Sequence, residues 1–190
     1  MAKDFEDMSP EEHGQLFPIF LVEPNAQRAS YYAAERESLL SLIPRDCLRR
    51  ISHIGSTSIP GIWAKNIVDI LVEVRCEADL YTVQDLLLNR DYSCLCQMAR
   101  QITLNKGYTD RGFADQVFHL HIRIAGDNDE LYFRDYLIEH EAVAREYESL
   151  KRSLWKLYEH DRARYTDAKT DFIQAYTRLA KEAYGDRYKA

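Results

Sequence analysis

The sequence predicts an α/β or α+β domain, with a mixed β-sheet flanked by helices and a helical C-terminal third. Apolar, β-branched stretches of strand length alternate with helical periodicity in the first two thirds of the chain. All five prolines lie at or before Pro60, so long helices can form downstream without interruption. The 190 residues predict one domain over 1–190, because domains commonly hold about 100–200 residues.

The first two thirds of the chain contain the predicted strands. A helix over about 25–42 begins after Pro24 and ends before Pro44, which disfavours helical backbone in the preceding residue. Strands follow at about 48–54 and 66–74, on either side of a Gly/Ser/Pro loop at 55–61. The next predicted elements are a helix at about 78–90, strand-like residues within 92–104, a loop with Gly107 and Gly112, and a strand at about 116–124.

The remaining residues are predicted to be helical. Helical periodicity covers roughly 129–140, 142–159 and 161–184, and Gly185 ends the last helix as a C-terminal glycine. The predicted element order is therefore α-β-β-α-β-β-α-α-α, which describes a sheet domain with a helical end.

Composition and charge exclude several classes of protein. Hydrophobic residues make up 46% and charged residues 29%, values typical of globular domains. The net charge of −6 argues against bulk nucleic-acid binding, which requires a basic surface. Residues 1–10 carry acids where a secretory signal needs a basic stretch, and the sequence has no apolar run long enough to span a membrane. We therefore expect a cytoplasmic protein that does not enter the membrane.

The loop after the first predicted strand is the most informative stretch for function. A strand that stops at Gly55-Ser56 exposes backbone N–H groups and the Ser56 and Thr57 hydroxyls, which suit phosphate oxygens. A Walker A loop fits poorly, because Gly61 lies too far from Gly55 and Lys65 too far from Gly61. The alternative is a plain strand-to-helix turn with Ser/Thr caps.

An acid and two histidines lie in predicted strands. An ionised Asp69 within an apolar strand is costly to bury unless a cation or hydrogen-bond donors compensate it, so it is either a site residue or paired with a neighbouring loop. His119 and His121 point to the same side of their strand. If the two strands are adjacent, these three side chains form a two-nitrogen, one-oxygen site for zinc, manganese or iron. Alternatively, one histidine makes a structural hydrogen bond and the other is half-exposed.

Two lysines lie on the apolar faces of the C-terminal helices. Lys151 and Lys169 each follow a tyrosine by one turn. A lysine in such a place either extends to water or reaches a buried anion, such as a site carboxylate or a substrate phosphate. Arg134 is a candidate third cation for the same anion, and its alternative is a surface pair with Asp135 or Glu139.

These motifs together resemble the GrpB family, whose fold belongs to the nucleotidyltransferase superfamily. The segments that carry the resemblance are His53–Gly61 (HIGSTSIPG), Ala64-Lys65, Ile67–Ile70, His119–His121, Phe133–Leu137, Tyr147–Lys151 and Tyr165–Lys169. The stretch Phe17–Asn25 is similar to the opening strand of the family. The resemblance implies a single GrpB-like domain with a nucleotidyltransferase-like mixed sheet.

The superfamily pattern is Gly-Ser followed by an acid-x-acid pair on a strand, which binds Mg²⁺ and aligns a nucleoside triphosphate for transfer. Gly55-Ser56 matches the first part and Asp69 the first acid, whereas Leu71 takes the place of the second acid. The resemblance implies that Gly55, Ser56 and Lys65 bind a nucleotide beside a divalent metal.

The resemblance also bears on which metal the site prefers. It implies a divalent ion, Mg²⁺ or Mn²⁺. If His119 or His121 stands where the superfamily has its third acid, the preference shifts from Mg²⁺ towards a metal that favours nitrogen ligands, such as Zn²⁺.

Three functions remain open at this stage. The first is metal-dependent nucleotidyl transfer to an unknown acceptor, in which Asp69 holds the metal and Lys151, Lys169 and Arg134 neutralise phosphate charge. The second is a catalytically inactive module that binds a nucleotide or another phosphorylated small molecule, which Leu71 favours. The third is a metal-dependent phosphoester hydrolase that uses Asp69 and the two histidines.

Overall fold

The computed structural model describes residues 8–189, so residues 1–7, which carry much of the signal-sequence argument, lie outside the described part. The helices are α1 (Pro10–Leu16), α2 (Gln27–Leu42), α3 (Glu77–Leu88), α4 (Asp129–Glu139), α5 (Glu141–Leu157), α6 (Arg162–Asp167) and α7 (Thr170–Tyr184). The strands are β1 (Leu48–Ile54), β2 (Val68–Val74), β3 (Ser93–Met98), β4 (Gln101–Thr109) and β5 (Gly112–Ile124). A 3₁₀ turn, Ser56–Ser58, follows β1.

The five strands form one mixed sheet in the order β1-β2-β5-β4-β3. Strands β2 and β5 pair in parallel, and the other neighbours pair antiparallel. Apolar side chains of β2, β4 and β5 pack against α2 and α3 in the main core. The predicted mixed sheet flanked by helices is therefore confirmed.

The register of β2 and β5 positions the predicted site. Asp69 lies opposite His119, and Leu71 lies opposite His121. On its other side Asp69 lies opposite Ile54, the last residue of β1, so the loop that leaves β1 starts beside the aspartate. The two strands that carry the aspartate and the histidines are neighbours, as the site hypothesis required.

The structure before α2 differs from the sequence prediction in two places. Phe17–Asn25 does not form a strand and contributes only a bridge between Val22 and Ala64, because prolines within it remove backbone donors. Helix α1 was not predicted, although Ser9 and Glu12 form a capping box at its start.

The region predicted as strand-like residues and a glycine loop forms three strands. The stretch 92–104 divides between β3 and β4, and β4 continues through Gly107 in an irregular register. Gly107 has φ +89, and a side chain there would meet the Gln116 carbonyl oxygen at 2.2 Å. The glycine thus lets the strand bulge where the sequence was interpreted as a loop.

The last predicted helix is divided at Ala168 and Lys169. Helix α6 ends at Asp167 and α7 begins at Thr170, which packs Tyr165 inward while α7 lies along α4. Gly185 ends α7 with φ 53, as predicted. Among residues 8–189, no helix combines the length and apolar character needed to cross a membrane.

Candidate functional site

The turn after β1 is pressed against Asp69. Gly55 has φ +67, and a Cβ atom on it would lie 2.3 Å from Asp69 Oδ2. Only glycine fits this backbone and this close approach. The Ser58 hydroxyl and N–H both bind the Gly55 carbonyl, which closes the 3₁₀ turn and holds Ser56 and Thr57 near the aspartate.

Asp69 interacts with both predicted histidines. Its Oδ1 atom lies 3.3 Å from His119 Nδ1 and 3.4 Å from His121 Nε2. Burial alone would raise the pKa of Asp69, but the two histidine hydrogen bonds outweigh it and hold that pKa well below its ordinary range. Asp69 is therefore an ionised carboxylate at neutral pH.

Three further residues orient the histidines from outside. The Tyr108 hydroxyl lies 2.9 Å from His119 Nε2 and accepts a hydrogen bond of 2.6 Å from Arg162. Arg123 lies 3.4 Å from His121 Nδ1 and donates to two backbone carbonyls.

The sequence interpretation missed all three of these residues. Arg123 had a signal, because it shares the strand face of His119 and His121 at two-residue spacing. Tyr108 and Arg162 had none, since they come from the far end of β4 and from α6.

The geometry of the aspartate and the histidines fits a metal ion. Their ligand atoms lie within 4.8 Å of one another. The separations of 3.3 and 3.4 Å match the roughly 3.3–3.4 Å edge of a tetrahedron with metal–ligand distances of about 2.0–2.1 Å. His119 fits once its ring proton moves from Nδ1, which faces Asp69, to Nε2, because Nε2 can then donate to the Tyr108 hydroxyl.

The fit at His121 also requires its ring proton to move, from Nε2 to Nδ1. Arg123 is a donor, so the outer nitrogen of His121 accepts and the ring proton lies on Nε2, towards Asp69. A metal ion at Nε2 would need the ring proton on Nδ1 instead, and Arg123 would have to turn away from that nitrogen.

A small cavity lies next to Asp69, which we call the lysine cavity. It is lined by Ser56, Thr57, Lys65, Ile67, Asp69, Lys151, Tyr165 and Lys169. Its volume of about 20 Å³ has room for about one water molecule. The structure thus brings together the predicted turn, the aspartate and all three predicted lysines.

The three lysines outnumber the single carboxylate of the cavity. Lys151 donates to the Trp63 carbonyl, whereas Lys65 and Lys169 form no hydrogen bond or ion pair with any residue of 8–189. The ammonium groups of Lys65 and Lys169 instead lie 5.9 and 4.2 Å from the Tyr165 ring centroid.

Burial sets the charge of these lysines. It is the main cause that lowers the pKa of Lys65 and of Lys151 to about 7 and that of Lys169 to about 8, and neighbouring cations lower each pKa further. The cavity therefore contains ammonium groups whose charge is costly to keep there.

Two predicted positions lie outside this arrangement. Arg134 donates to the His53 carbonyl and pairs with Asp135, so it takes the alternative role of a pair with its neighbour and is not among the residues that line the lysine cavity. Leu71 is fully buried with Ile54 and Leu131, so an apolar core occupies the place of a second acid.

Comparisons with known proteins agree with this fold. The family model described as GrpB protein matches residues 18–179. The glutamate-rich protein GrpB of Alkalihalophilus pseudofirmus is 34% identical over 146 residues, which cover 73% of this chain and 83% of that protein. The crystal structure of the conserved protein GrpB from Enterococcus faecalis is 27% identical, with a TM-score of 0.75 over 87% of this chain and 99% of that one.

A more distant solved structure shares the fold alone. The Cid1 poly(U) polymerase with bound MgGTP is 13% identical to this chain, with a TM-score of 0.52 over 72% of this chain and 44% of Cid1. The family match covers most of the sequence and includes β1, β2, β5, Lys151 and Lys169. This chain therefore belongs to the GrpB family, and its fold is nucleotidyltransferase-like.

Proposed function

We propose that this chain binds the phosphate group of a nucleotide, or of another phosphorylated small molecule, in the lysine cavity. The observation that carries the proposal is the excess of three lysines over one carboxylate around that cavity. Burying ammonium groups without an anion is unfavourable, and a phosphate would supply the missing negative charge. The Ser56 and Thr57 hydroxyls line the same space and can donate to phosphate oxygens.

Binding requires the cavity to open. A space of about 20 Å³ is too small for a phosphate group. Lys65 and Lys169 have no polar partner among the described residues, so their flexible side chains can move outward without breaking a hydrogen bond. We expect this movement to turn both ammonium groups towards the entering anion.

We also propose a divalent metal ion held by Asp69, His119 and His121 beside that phosphate. Two nitrogens and one oxygen favour Zn²⁺ or Mn²⁺ over Mg²⁺, which prefers oxygen ligands. The ion would supply Lewis-acid stabilisation at the phosphate. Lys151 and Lys169 would neutralise the negative charge that develops during reaction.

The residues of β2 limit which reaction the site can carry out. Nucleotidyl transfer of the two-metal kind uses a second acid on this strand, and the buried Leu71 occupies its place. A one-metal reaction at a phosphate ester fits the residues present. We therefore infer that hydrolysis of a phosphoester, with Asp69 and the two histidines as metal ligands, is the second candidate function.

The phosphate site is tested with inorganic pyrophosphate as the probe. Calorimetry should show binding to the wild-type protein, and Lys65→Met and Lys169→Met should each weaken it about tenfold or more, because each removes a charged donor. Lys156→Met is the matched control, since Lys156 is exposed on α5 and does not line the cavity. Absence of pyrophosphate binding, or equal binding by all variants, would contradict the proposal.

A further inference from the structure

A second cavity adjoins the lysine cavity. We call it the aromatic cavity. Its volume is about 200 Å³, and Phe20, Asn66 and Phe113 are among its lining residues. Lys65 and Ile67 line both cavities and form their common wall. A single ligand would contact both spaces once the flexible Lys65 side chain turns aside.

The aromatic cavity offers a fixed ring surface. Phe113 packs against Phe17 and Tyr108 with ring centroids 5.1 Å away in each case, which fixes its position. Phe20 lies edge-on to Phe113 at 6.1 Å and is 36% exposed. Since a cavity of roughly 150 Å³ is large enough to bind benzene, this cavity has room for a flat heterocycle against Phe113.

Asn66 provides a polar side chain beside this ring surface. The Asn66 side chain is half-buried and forms no hydrogen bond with any residue in the range 8–189. Its amide offers both donors and an acceptor, which is the combination that pairs with the edge of a nucleobase. Asp115 adds an exposed acceptor at the same cavity.

We infer that the aromatic cavity binds the base of a nucleotide whose phosphate occupies the lysine cavity. This inference rests on the proposed phosphate site and narrows its ligand from phosphorylated compounds in general to nucleotides. The base would stack on Phe113 beside Phe20, and Asn66 would bond its edge. Lys65 would lie between base and phosphate, on the wall that the two cavities share.

The test compares ligands that differ only in the base. Calorimetry with Mn²⁺ present measures the four nucleoside 5′-monophosphates against ribose 5-phosphate, which keeps the sugar and phosphate. At least one nucleotide should bind about tenfold or more tightly than ribose 5-phosphate, as expected for one base stacked on an aromatic side chain. Phe20→Ser and Phe113→Leu should reduce that preference without changing the affinity for ribose 5-phosphate.

A matched control and a second measurement complete the test. Tyr81→Ser replaces an aromatic residue of similar exposure on α3 and should leave the preference unchanged. If Phe113→Leu does not fold, saturation-transfer NMR on the wild-type protein should show stronger transfer to base protons than to ribose protons. Weaker transfer to the base would overturn the inference.

The outcomes separate this inference from the proposed phosphate site. Equal affinity for nucleotides and ribose 5-phosphate would overturn the base site and leave the phosphate site standing. Binding of pyrophosphate with exclusion of every nucleotide would have the same meaning. If neither pyrophosphate nor ribose 5-phosphate binds, the phosphate site itself fails, and the base site fails with it.

Discussion

Two carboxylates on the same face of β2, Asp69 and Glu73, have opposite surroundings. Glu73 is fully buried, pairs with Arg50 and accepts hydrogen bonds from the Gly126 N–H at 3.1 Å and Asn128 at 2.9 Å. Its charge and both of its oxygens are satisfied within the molecule. Glu73 is therefore a structural acid.

Asp69, four residues earlier, has weaker partners, and its charge does not balance the charges around it. Its histidine partners lie at 3.3 and 3.4 Å, longer than usual charge-assisted hydrogen bonds, and its cavity holds more lysine charge than it can balance. The comparison teaches that a buried acid alone does not identify a site. A site is indicated when the charge of the acid and the charges around it do not balance.

The largest expected effect is at the structural end of β2. Glu73→Ala leaves Arg50 without its partner and one of the two Asn128 amide donors without an acceptor, so we expect the free energy of unfolding to fall by about 3–5 kcal/mol. Urea denaturation measures this loss. A loss below about 1 kcal/mol for Glu73→Ala would contradict the structural role of that acid.

The next largest effect is expected for Gly55→Ala, because Gly55 packs directly against Asp69. The new Cβ would overlap Asp69 Oδ2 on a backbone with φ +67, and we expect a cost of about 3 kcal/mol together with loss of pyrophosphate binding.

Gly61→Ala is the matched control for the Gly55 variant. Gly61 also has positive φ, at +76, but its Cβ would come no closer than 3.5 Å to the Arg145 side chain. It should show only the backbone strain of about 1–2 kcal/mol. Equal costs and unchanged pyrophosphate binding in both variants would show that the contact with Asp69 does not matter.

The contrast between Asp69 and Glu73 also shows which features of the fold and the site could be predicted from the sequence. The periodicity located β1 and all of β2, and the Gly-Ser turn, Asp69 and the histidine pair were predicted as site residues because polar groups stand out in apolar strands. The satisfied role of Glu73 was invisible, since Arg50 and Asn128 come from other parts of the chain.

Contacts between distant parts of the chain also explain why the aromatic cavity could not be predicted from the sequence. The inner lining of the aromatic cavity comes from Phe20 in a segment that was expected to be a strand and from Phe113 beyond a bulge that was expected to be a loop. Local patterns do not encode which side chains meet across a bulged hairpin, so neither residue carried a signal.

Metal binding should also distinguish Asp69 from Glu73. Asp69→Asn should weaken binding of Zn²⁺ or Mn²⁺ about 100-fold, because it removes the only anionic ligand of the proposed set. Glu73→Gln removes a carboxylate from the same strand and should leave metal affinity unchanged. Calorimetry with each metal ion measures both. Equal metal affinity in wild type and Asp69→Asn would show that the metal does not bind at Asp69.

The smallest expected effect is a pH dependence that the Asp69 end alone should show. Burial and the nearby Lys169 lower the pKa of Lys151 from 10.5 to about 7. The other charged groups that influence it are Glu148, Lys65 and Arg28. Because the unfolded chain holds this proton more tightly than the folded one, the free energy of unfolding should rise as pH increases from about 7 towards 10.5.

The size of this increase in the free energy of unfolding can be stated, and a matched variant tests its origin. For Lys151 alone it amounts to about 2 kcal/mol between roughly pH 7 and pH 9. Lys151→Met should remove that part of the rise in urea denaturation curves, while the exposed Lys156→Met should keep it. Parallel pH curves for wild type and Lys151→Met would mean that Lys151 is not held as a costly cation. The charge excess that distinguishes the Asp69 end from the Glu73 end would then rest on Lys65 and Lys169 alone.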